Sequence, residues 1–244
     1  MTPGIVVGMP LYRSIPATFF THWLTMDKTP VRATVSVQGV YLTHAMTKLV
    51  NLALEHDGWD KLVILESDVI PPLGAFNRVA EYQADKHVVG PVMFQHVPPY
   101  TAMVFGPDPD PKGTVKPFGP DIIKQIVENP ALYECCAVSF GFTTIHRTLL
   151  ENWDKSVPMF QHSNDVSHDV YFATEAKKQG FGVYVDSSLV CDHLSEIPVS
   201  YPQNQAFSAI YGEQVPLETA MRLERPATPA DSVLVTWEEK DAAD

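Results

Sequence analysis

The chain has 244 residues and a formal net charge of −12, from 17 basic and 29 acidic residues. This length suffices for one sizeable hydrophobic core, and the acidic balance argues against a broad electrostatic surface for nucleic-acid backbone. Three cysteines do not make a disulfide framework. Because the chain also has no apolar leader and no run of about 18 apolar residues, we expect a soluble protein of the cytoplasm.

Patterns typical of strands and helices alternate through about the first hundred residues. Short aliphatic and β-branched runs predict strands, and apolar residues at helical spacing predict the helices between them. The resulting β-α-β-α-β-α-β order predicts an α/β fold with a mostly parallel, doubly wound central sheet flanked by helices. The predicted strands are 5–8, 31–37, 62–65 and 88–94, and the predicted helices are 19–26, 43–56 and 73–82.

The stretch from Lys61 to Pro72 contains the first candidate site. Its aliphatic run suits a strand buried on both faces, and the run stops at Glu66-Ser67-Asp68 before two prolines. In extended backbone, side chains two residues apart point the same way, so we expect Glu66 and Asp68 to face one spot. Two carboxylates beyond the carboxyl end of a strand suit Mg²⁺ or Mn²⁺ carrying a substrate's phosphates. The alternative is a solvated turn whose acids cap the next helix.

Residues 98–120 interrupt this regular pattern. The segment holds seven prolines and three glycines, which is too broken for a simple connection. We expect either a mobile lid or acceptor-binding loop, or an ordered surface excursion. Beyond it, the sequence predicts a short helix over 121–128, strands within 133–145 with a close backbone approach at Gly141, and a helix over 147–153.

A second candidate site lies at the start of a helix predicted from Ser167 to Gln179, with Gly180 as its C-terminal stop. Asp169 lies in the first turn of this helix. A carboxylate there either interacts favourably with the helix dipole or acts as a general base for a substrate hydroxyl. Three residues give the helix an inward face: Val166, Val170 and Ala173.

Extended segments at 182–185 and 188–190 then lead to Cys191-Asp192-His193. Together, these motifs resemble in order and spacing the metal-dependent GT-A glycosyltransferases, including small forms from phage and bacterial genomes. The resemblance covers about residues 4–194. It rests on Val-Val-Gly-Met-Pro at 6–10, the block at 58–68 ending in Glu-Ser-Asp, the segment 136–147 with Ser-Phe-Gly-Phe, His-Asp-Val at 168–170, and the segment 180–193 ending in Cys-Asp-His.

The resemblance implies roles for individual residues. Asp68 would bind the divalent metal, with Glu66 in the first acid position of the Asp-x-Asp motif and His193 as a further ligand. Asp169 would match the catalytic Asp of the family's Glu-Asp pair. Tyr12 would stack on the nucleotide base. The residues expected to bind the nucleotide sugar are Pro10, Tyr12, Arg13, Gln38, Glu66, Ser67 and Gly141.

Several positions depart from the family pattern. The first acid of the metal motif is Glu rather than Asp, and His168 replaces the acid before the catalytic Asp. The family's Ala-Arg-Asn segment reads Ala-Met-Thr at 45–47, so its diphosphate-facing arginine is missing, and Lys48 or His44 is the candidate substitute. Gln38 stands near the place where an acid often contacts the edge of a uracil.

The resemblance implies transfer of a sugar from a nucleotide-diphosphate sugar, with a UDP-sugar favoured, to an acceptor hydroxyl, with Mn²⁺ or Mg²⁺ as cofactor. A base that acts opposite the departing diphosphate inverts the anomeric centre, so inversion is favoured. The alternatives are a retaining transferase of the same fold and a non-catalytic nucleotide-sugar-binding protein. The acceptor stays open among a modified DNA base, a glycan, a protein and a metabolite.

The domain organisation follows from the composition. We expect a catalytic domain over residues 1–200 and a partly disordered C-terminal extension over 201–244, since the residues from Pro226 onward are mostly small or acidic. Residues 233–237 are the exception to this composition, and they would either pair as an edge strand or contact a partner subunit. The extension begins with aromatic residues that pack either over the site or on the sheet: Tyr201, Phe207 and Tyr211.

Overall fold

A computed structural model describes residues 4–11, 15–107, 115–162 and 166–194. Tyr12, Arg13 and the whole extension 201–244 therefore lie outside the described residues. The elements in chain order are β1 (Gly4–Leu11), α1 (Ala17–Thr25), β2 (Val31–Gln38), α2 (Leu42–Leu54), β3 (Trp59–Leu65), β4 (Val69–Ile70), α3 (Ala75–Ala80), β5 (Val88–Val92), β6 (Val104–Pro107), β7 (Val115–Pro117), α4 (Pro120–Glu128), β8 (Leu132–Glu134), β9 (Ala137–Val138), β10 (Phe142–His146), α5 (Arg147–Asn152), α6 (His168–Lys178), β11 (Val183–Val190) and β12 (Asp192–His193).

The central sheet has seven strands in the order β2-β1-β3-β10-β5-β11-β8. β1 is parallel to β2 and β3, and β5 is parallel to β11, which confirms the predicted mostly parallel α/β sheet. β10 is antiparallel to both β3 and β5 and separates them. The periodicity of residues 133–145 predicted strands but not their direction, because a two-residue repeat is the same in either sense.

β3 has the two buried faces that its aliphatic run predicts. Leu62 and Ile64 belong to the hydrophobic core under α2, while Val63 and Leu65 belong to the core under α1 and α3. All four side chains are fully buried. Burial of each contributes about 1.5–3 kcal/mol, so the end of β3 is a rigid platform for the residues that follow it.

The proline-rich segment is an ordered excursion in its described parts. β6 pairs with both β7 and β9 in a separate three-stranded sheet. Residues 108–114, between β6 and β7, lie outside the described residues, so the predicted lid stays a prediction there.

The glycine stop predicted for α6 is confirmed, since Gly180 directly follows the C-cap residue and has a φ of +88°. The stop predicted for α2 is wrong, because the helix already ends at Leu54 and Gly58, with a φ of +77°, lies in the turn before β3. One predicted inward residue is wrong: Val166 precedes α6 and is 37% exposed, because the helix begins only at His168. All three cysteines are free. Within the described ranges, no helix is long and apolar enough to cross a membrane.

Candidate active site

The two acids after β3 lie in a turn. The Val69 amide donates to the Glu66 carbonyl over 3.2 Å, so the predicted extended backbone is wrong here. The reason is the neighbouring strand: the Glu66 amide donates to the Gly141 carbonyl at the start of β10, and the chain then reverses into β4. Glu66 and Asp68 still lie near enough to one another for the charge of Asp68 to raise the pKa of Glu66.

The Asp68 carboxylate and the His193 ring face one another. Nε2 of His193 lies 3.5 Å from Oδ2 of Asp68, although the two residues come from distant parts of the sequence. Short strands bring them together: β12 pairs with β4, placing His193 opposite Val69. The Leu194 amide also donates to the Asp68 carbonyl over 2.6 Å. The backbone therefore fixes the position of this pair.

A hydrogen bond to the backbone orients the His193 ring. Its Nδ1 lies 2.9 Å from the Phe94 carbonyl oxygen, which can only accept, so Nδ1 carries the hydrogen. In the neutral ring, Nε2 then presents a lone pair to the Asp68 carboxylate. Two acceptors that face one another need a proton or a cation between them. An imidazole held at Nδ1 by a carbonyl is also the usual arrangement of a metal-ligating histidine.

The ionisation of the pair reflects this contact. Burial opposes both charged forms, but the contact between the two side chains outweighs it. The pKa of Asp68 is lowered by its hydrogen bond with His193, and the pKa of His193 is raised by its hydrogen bonds to Asp68 and the Phe94 carbonyl. Without a metal ion, a proton shared with His193 stabilises the Asp68 carboxylate.

Glu66 and Asp169 extend the acidic region around this pair. Burial and the charges of Asp68 and Asp169 raise the pKa of Glu66 to about 8, against the opposing effect of His193. Asp169 is 5% exposed and accepts hydrogen bonds from the Val170 amide, at 2.8 Å, and from the Ser167 hydroxyl. The fold thus places Asp68, Asp169 and His193 near enough to Glu66 for their charges to shift its pKa.

The donor groups fit a cation that is only partly held by the protein. Among the described residues, no three His, Cys, Asp or Glu side chains are grouped tightly enough to hold a metal ion. Asp68 and His193 offer one oxygen and one nitrogen towards a common point. Mg²⁺ commonly takes one or two protein ligands and completes its shell with substrate phosphates and water, and Mn²⁺ also accepts oxygen ligands. Glu66 as a third ligand stays a prediction.

A cavity of about 560 Å³ lies where the carboxyl ends of β1 and β2 meet the start of α2. Neither Pro10 nor Gln38 lines it, but their sequence neighbours Leu11 and Gly39 do. Pro10 instead pairs with Val37 inside the sheet, and Gln38 is an exposed residue at the end of β2. The cavity is lined by Leu11, Gly39, Val40, Tyr41, Leu42, His44 and Lys48.

Close packing against neighbouring side chains explains why residue 141 is a glycine. A Cβ atom there would lie 2.6 Å from the Met93 side chain and 2.8 Å from that of Val69, both of which are buried. Gly141 therefore permits a close approach to its backbone, as the sequence predicts, and the approaching groups are the Met93 and Val69 side chains. Ser67, in the turn between the two acids, is 8% exposed. No ligand contact of Gly141 or Ser67 follows from these positions.

His96 is a site residue that sequence reasoning missed. Its ring packs edge-on against His193 with the ring centroids 4.8 Å apart, and its side chain is exposed. The feature that could have identified His96 is its position shortly after β5, because ligands of open α/β sheets bind beyond the carboxyl ends of the strands.

His168, beside Asp169, is buried with one ring nitrogen unsatisfied. It is 8% exposed, and its Nε2 has no hydrogen-bond partner. The ring packs edge-on against Phe140 with the centroids 5.5 Å apart. Burial lowers the pKa of His168, with the charge of Asp169 opposing this shift and that of His162 adding to it. The neutral ring is therefore the form that fits this position.

This lowered pKa predicts a loss of stability in acid. The unfolded chain binds the proton more readily than the folded protein, so the free energy of unfolding should fall as the pH drops below the ordinary histidine value of about 6.5. One proton contributes a slope of at most about 1.4 kcal/mol per pH unit. Urea unfolding of His168→Phe between pH 7 and 5 should show a flatter slope than the wild-type protein. An equal slope in His168→Phe and the wild-type protein would contradict this explanation.

No protein-family model matches the sequence, and no curated protein matches it. Among solved structures, the chain is similar to A197 from STIV, with a TM-score of 0.62 and 20% identity over 82% of this chain and 91% of that chain. It is also similar to GalNAc-T7, solved with UDP, GalNAc and Mn²⁺, with a TM-score of 0.53 and 8% identity over 85% of this chain and 48% of that chain. The chain therefore spans about half the length of the GalNAc-T7 chain. These identities show the fold alone, and the GT-A-like architecture predicted from the sequence is confirmed.

Proposed function

We propose that this protein is a glycosyltransferase that moves a sugar from a nucleotide-diphosphate sugar, preferably a UDP-sugar, to an acceptor hydroxyl with the help of Mn²⁺ or Mg²⁺. The main support is the pair of Asp68 and His193 at the carboxyl end of β3, with 3.5 Å between their facing atoms. The pair lies in a GT-A-like sheet, and the similar GalNAc-T7 was solved with UDP, GalNAc and Mn²⁺.

Asp68 and His193 would hold the cation, with the ring of His193 fixed by the Phe94 carbonyl. When bound, the ion would stabilise the negative charge that develops on the departing diphosphate. Glu66 would orient the donor. The positive charge of the cation would offset the negative charges of Asp68 and Asp169, so the Glu66 carboxyl group would ionise more readily. The protein itself would hold the metal-ligating side chains in fixed positions before the sugar nucleotide binds.

Asp169 would accept the proton of the acceptor hydroxyl. Its Oδ1 already accepts from the Val170 amide and Ser167, which holds the carboxylate in one orientation. A base on the side opposite the diphosphate directs the hydroxyl to that face of the sugar, so the anomeric configuration inverts. Retention stays the alternative within this fold.

The cavity beside β1 and β2 would take the nucleoside. It combines apolar walls, from Leu11, Val40 and Leu42, with the polar side chains of His44 and Lys48. Apolar walls with a few polar groups are typical of sites for small organic ligands. Tyr41 is 85% exposed at this cavity, where its ring is free to stack on a base.

A nucleotide-sugar-binding protein without catalysis is the second candidate. The specific observation in its favour is His168, a buried neutral histidine where the resembling family has an acid before the catalytic Asp. Such a protein would keep the cation and donor sites, yet it would not complete the transfer.

Two measurements on the wild-type protein separate these candidates. A panel of sugar nucleotides with Mn²⁺ should contain one that raises the melting temperature, since a ligand at 100 times its Kd stabilises by about 2.7 kcal/mol. A transferase should then release free nucleoside diphosphate from that donor, and EDTA should stop the release. Stabilisation without release, across candidate acceptors, would identify the binding protein. If no sugar nucleotide stabilises the protein, both candidates are wrong.

A further inference from the structure

Among the described residues of the candidate active site, the predicted ones supply little positive charge, and the predicted Arg13 lies outside the described residues. Glu66, Asp68 and Asp169 are acids, and His193 is directed at Asp68 rather than at open space. A donor diphosphate would bring further negative charge to the same place. His44 and Lys48 line the cavity beside β1 and β2, on the nucleoside side of the proposed site. A hydrogen-bond donor next to the Asp68–His193 pair would therefore stabilise the diphosphate beside the cation.

His96 lies in that position. Its ring packs edge-on against His193 with the centroids 4.8 Å apart, and it interacts electrostatically with Asp68. His193 is 5% exposed, whereas His96 is exposed and open to a ligand. Of the two imidazoles, only His96 is free to contact a large anion from solvent.

The backbone around His96 is well ordered. The Gln95 amide donates to the Thr101 carbonyl over 3.0 Å, and Phe94 forms a β-bridge with Ala102. These contacts close a tight loop directly after β5, with His96 on it. The Phe94 carbonyl that orients His193 belongs to the same loop, so one backbone segment positions both rings. A group fixed in this way loses little entropy when it binds a ligand.

We propose that His96 binds the diphosphate of the donor by donating a hydrogen bond to a phosphate oxygen. The inference rests on the proposed function. A role as a third metal ligand would not be rescued by arginine, whose guanidinium has no lone pair to offer a cation, so His96→Arg distinguishes that role. A role as a mere cover over His193 would use only the ring face. Substitutions that keep a ring and substitutions that keep a hydrogen-bond donor therefore distinguish the two roles.

The test is isothermal titration with Mn²⁺ and UDP, or GDP if the wild-type protein binds that instead, and ligand-observed NMR with the matching nucleoside. We expect His96→Ala to weaken binding of the nucleoside diphosphate about tenfold, as for a lost hydrogen bond to a charged group, and to leave binding of the nucleoside unchanged. His96→Phe, which keeps the ring contact, should be as weak as His96→Ala. His96→Arg should restore most of the affinity. The exposed His56→Ala control, at the other end of β3, should bind like the wild-type protein.

The outcomes distinguish this inference from the proposed function. Wild-type binding that persists unchanged in His96→Ala, or is rescued by Phe and not by Arg, overturns the role of His96 alone. Equal losses for the diphosphate and the nucleoside also overturn it, since they indicate a general disturbance. If the wild-type protein binds neither diphosphate in the presence of Mn²⁺, the proposed function and the inference fail together.

Discussion

Asp68→Asn is expected to abolish metal-dependent turnover. The amide keeps the shape of the carboxylate but loses its charge, and its NH₂ group can donate to Nε2 of His193, which closes the point where a cation would bind. The loss should exceed the roughly 10–100-fold that changes to outer-shell partners of metal sites cause. Folding should be retained, because the Asp68 side chain is 44% exposed.

The measurement is initial rate against Mn²⁺ concentration, with the sugar nucleotide identified by thermal shift. Asp68→Asn should show no activation at any Mn²⁺ concentration that saturates the wild-type protein. Asp85→Asn is the matched control, since Asp85 is 63% exposed and pairs with Lys86 away from the site. A wild-type activation curve in Asp68→Asn would show that Asp68 does not bind the cation.

Local sequence predicted the central part of this site because burial and chain order determine it. The run before Glu66 is aliphatic at every position, so it predicted a strand buried on both faces, and Leu62–Leu65 is fully buried. Acids directly after such a strand lie at the edge of the sheet where ligands bind. The position of His193 beside Asp68 was expected from the family resemblance, and the pairing of β12 with β4 provides it.

Features that depend on contacts between distant segments were not predictable in the same way. The turn at Glu66 arises because its amide bonds to the carbonyl of Gly141, which is remote in sequence. His96 was missed since a single histidine between β5 and the proline-rich segment carries no periodic signal. Its place in the site becomes visible only from the ring of His193 beside it. The cavity beside β1 and β2 likewise forms between segments, so its lining includes the exposed Tyr41 rather than the predicted Gln38.

Asp169→Asn is expected to remove sugar transfer while leaving donor binding intact. General bases contribute about 10²–10⁴-fold to the rate of a step in which a hydroxyl loses its proton, so the turnover number should fall by that factor. The fold should not change, because the amide oxygen still accepts from the Val170 amide and from Ser167. Donor affinity, measured by titration with Mn²⁺ present, should stay within about twofold of the wild-type value, well under the tenfold that corresponds to 1.4 kcal/mol.

Ser167→Ala is the control that separates the effect of the base itself from the effect of the hydrogen bond that orients it. This change removes one hydrogen bond to Asp169 but keeps the carboxylate, so its effect on turnover should be clearly smaller than that of Asp169→Asn. If both variants lose turnover equally, the orientation of the helix start, rather than the base, limits the reaction. Full transfer by Asp169→Asn would assign the proton to another group and remove the reason to favour inversion, since no other predicted residue serves as the base opposite the diphosphate.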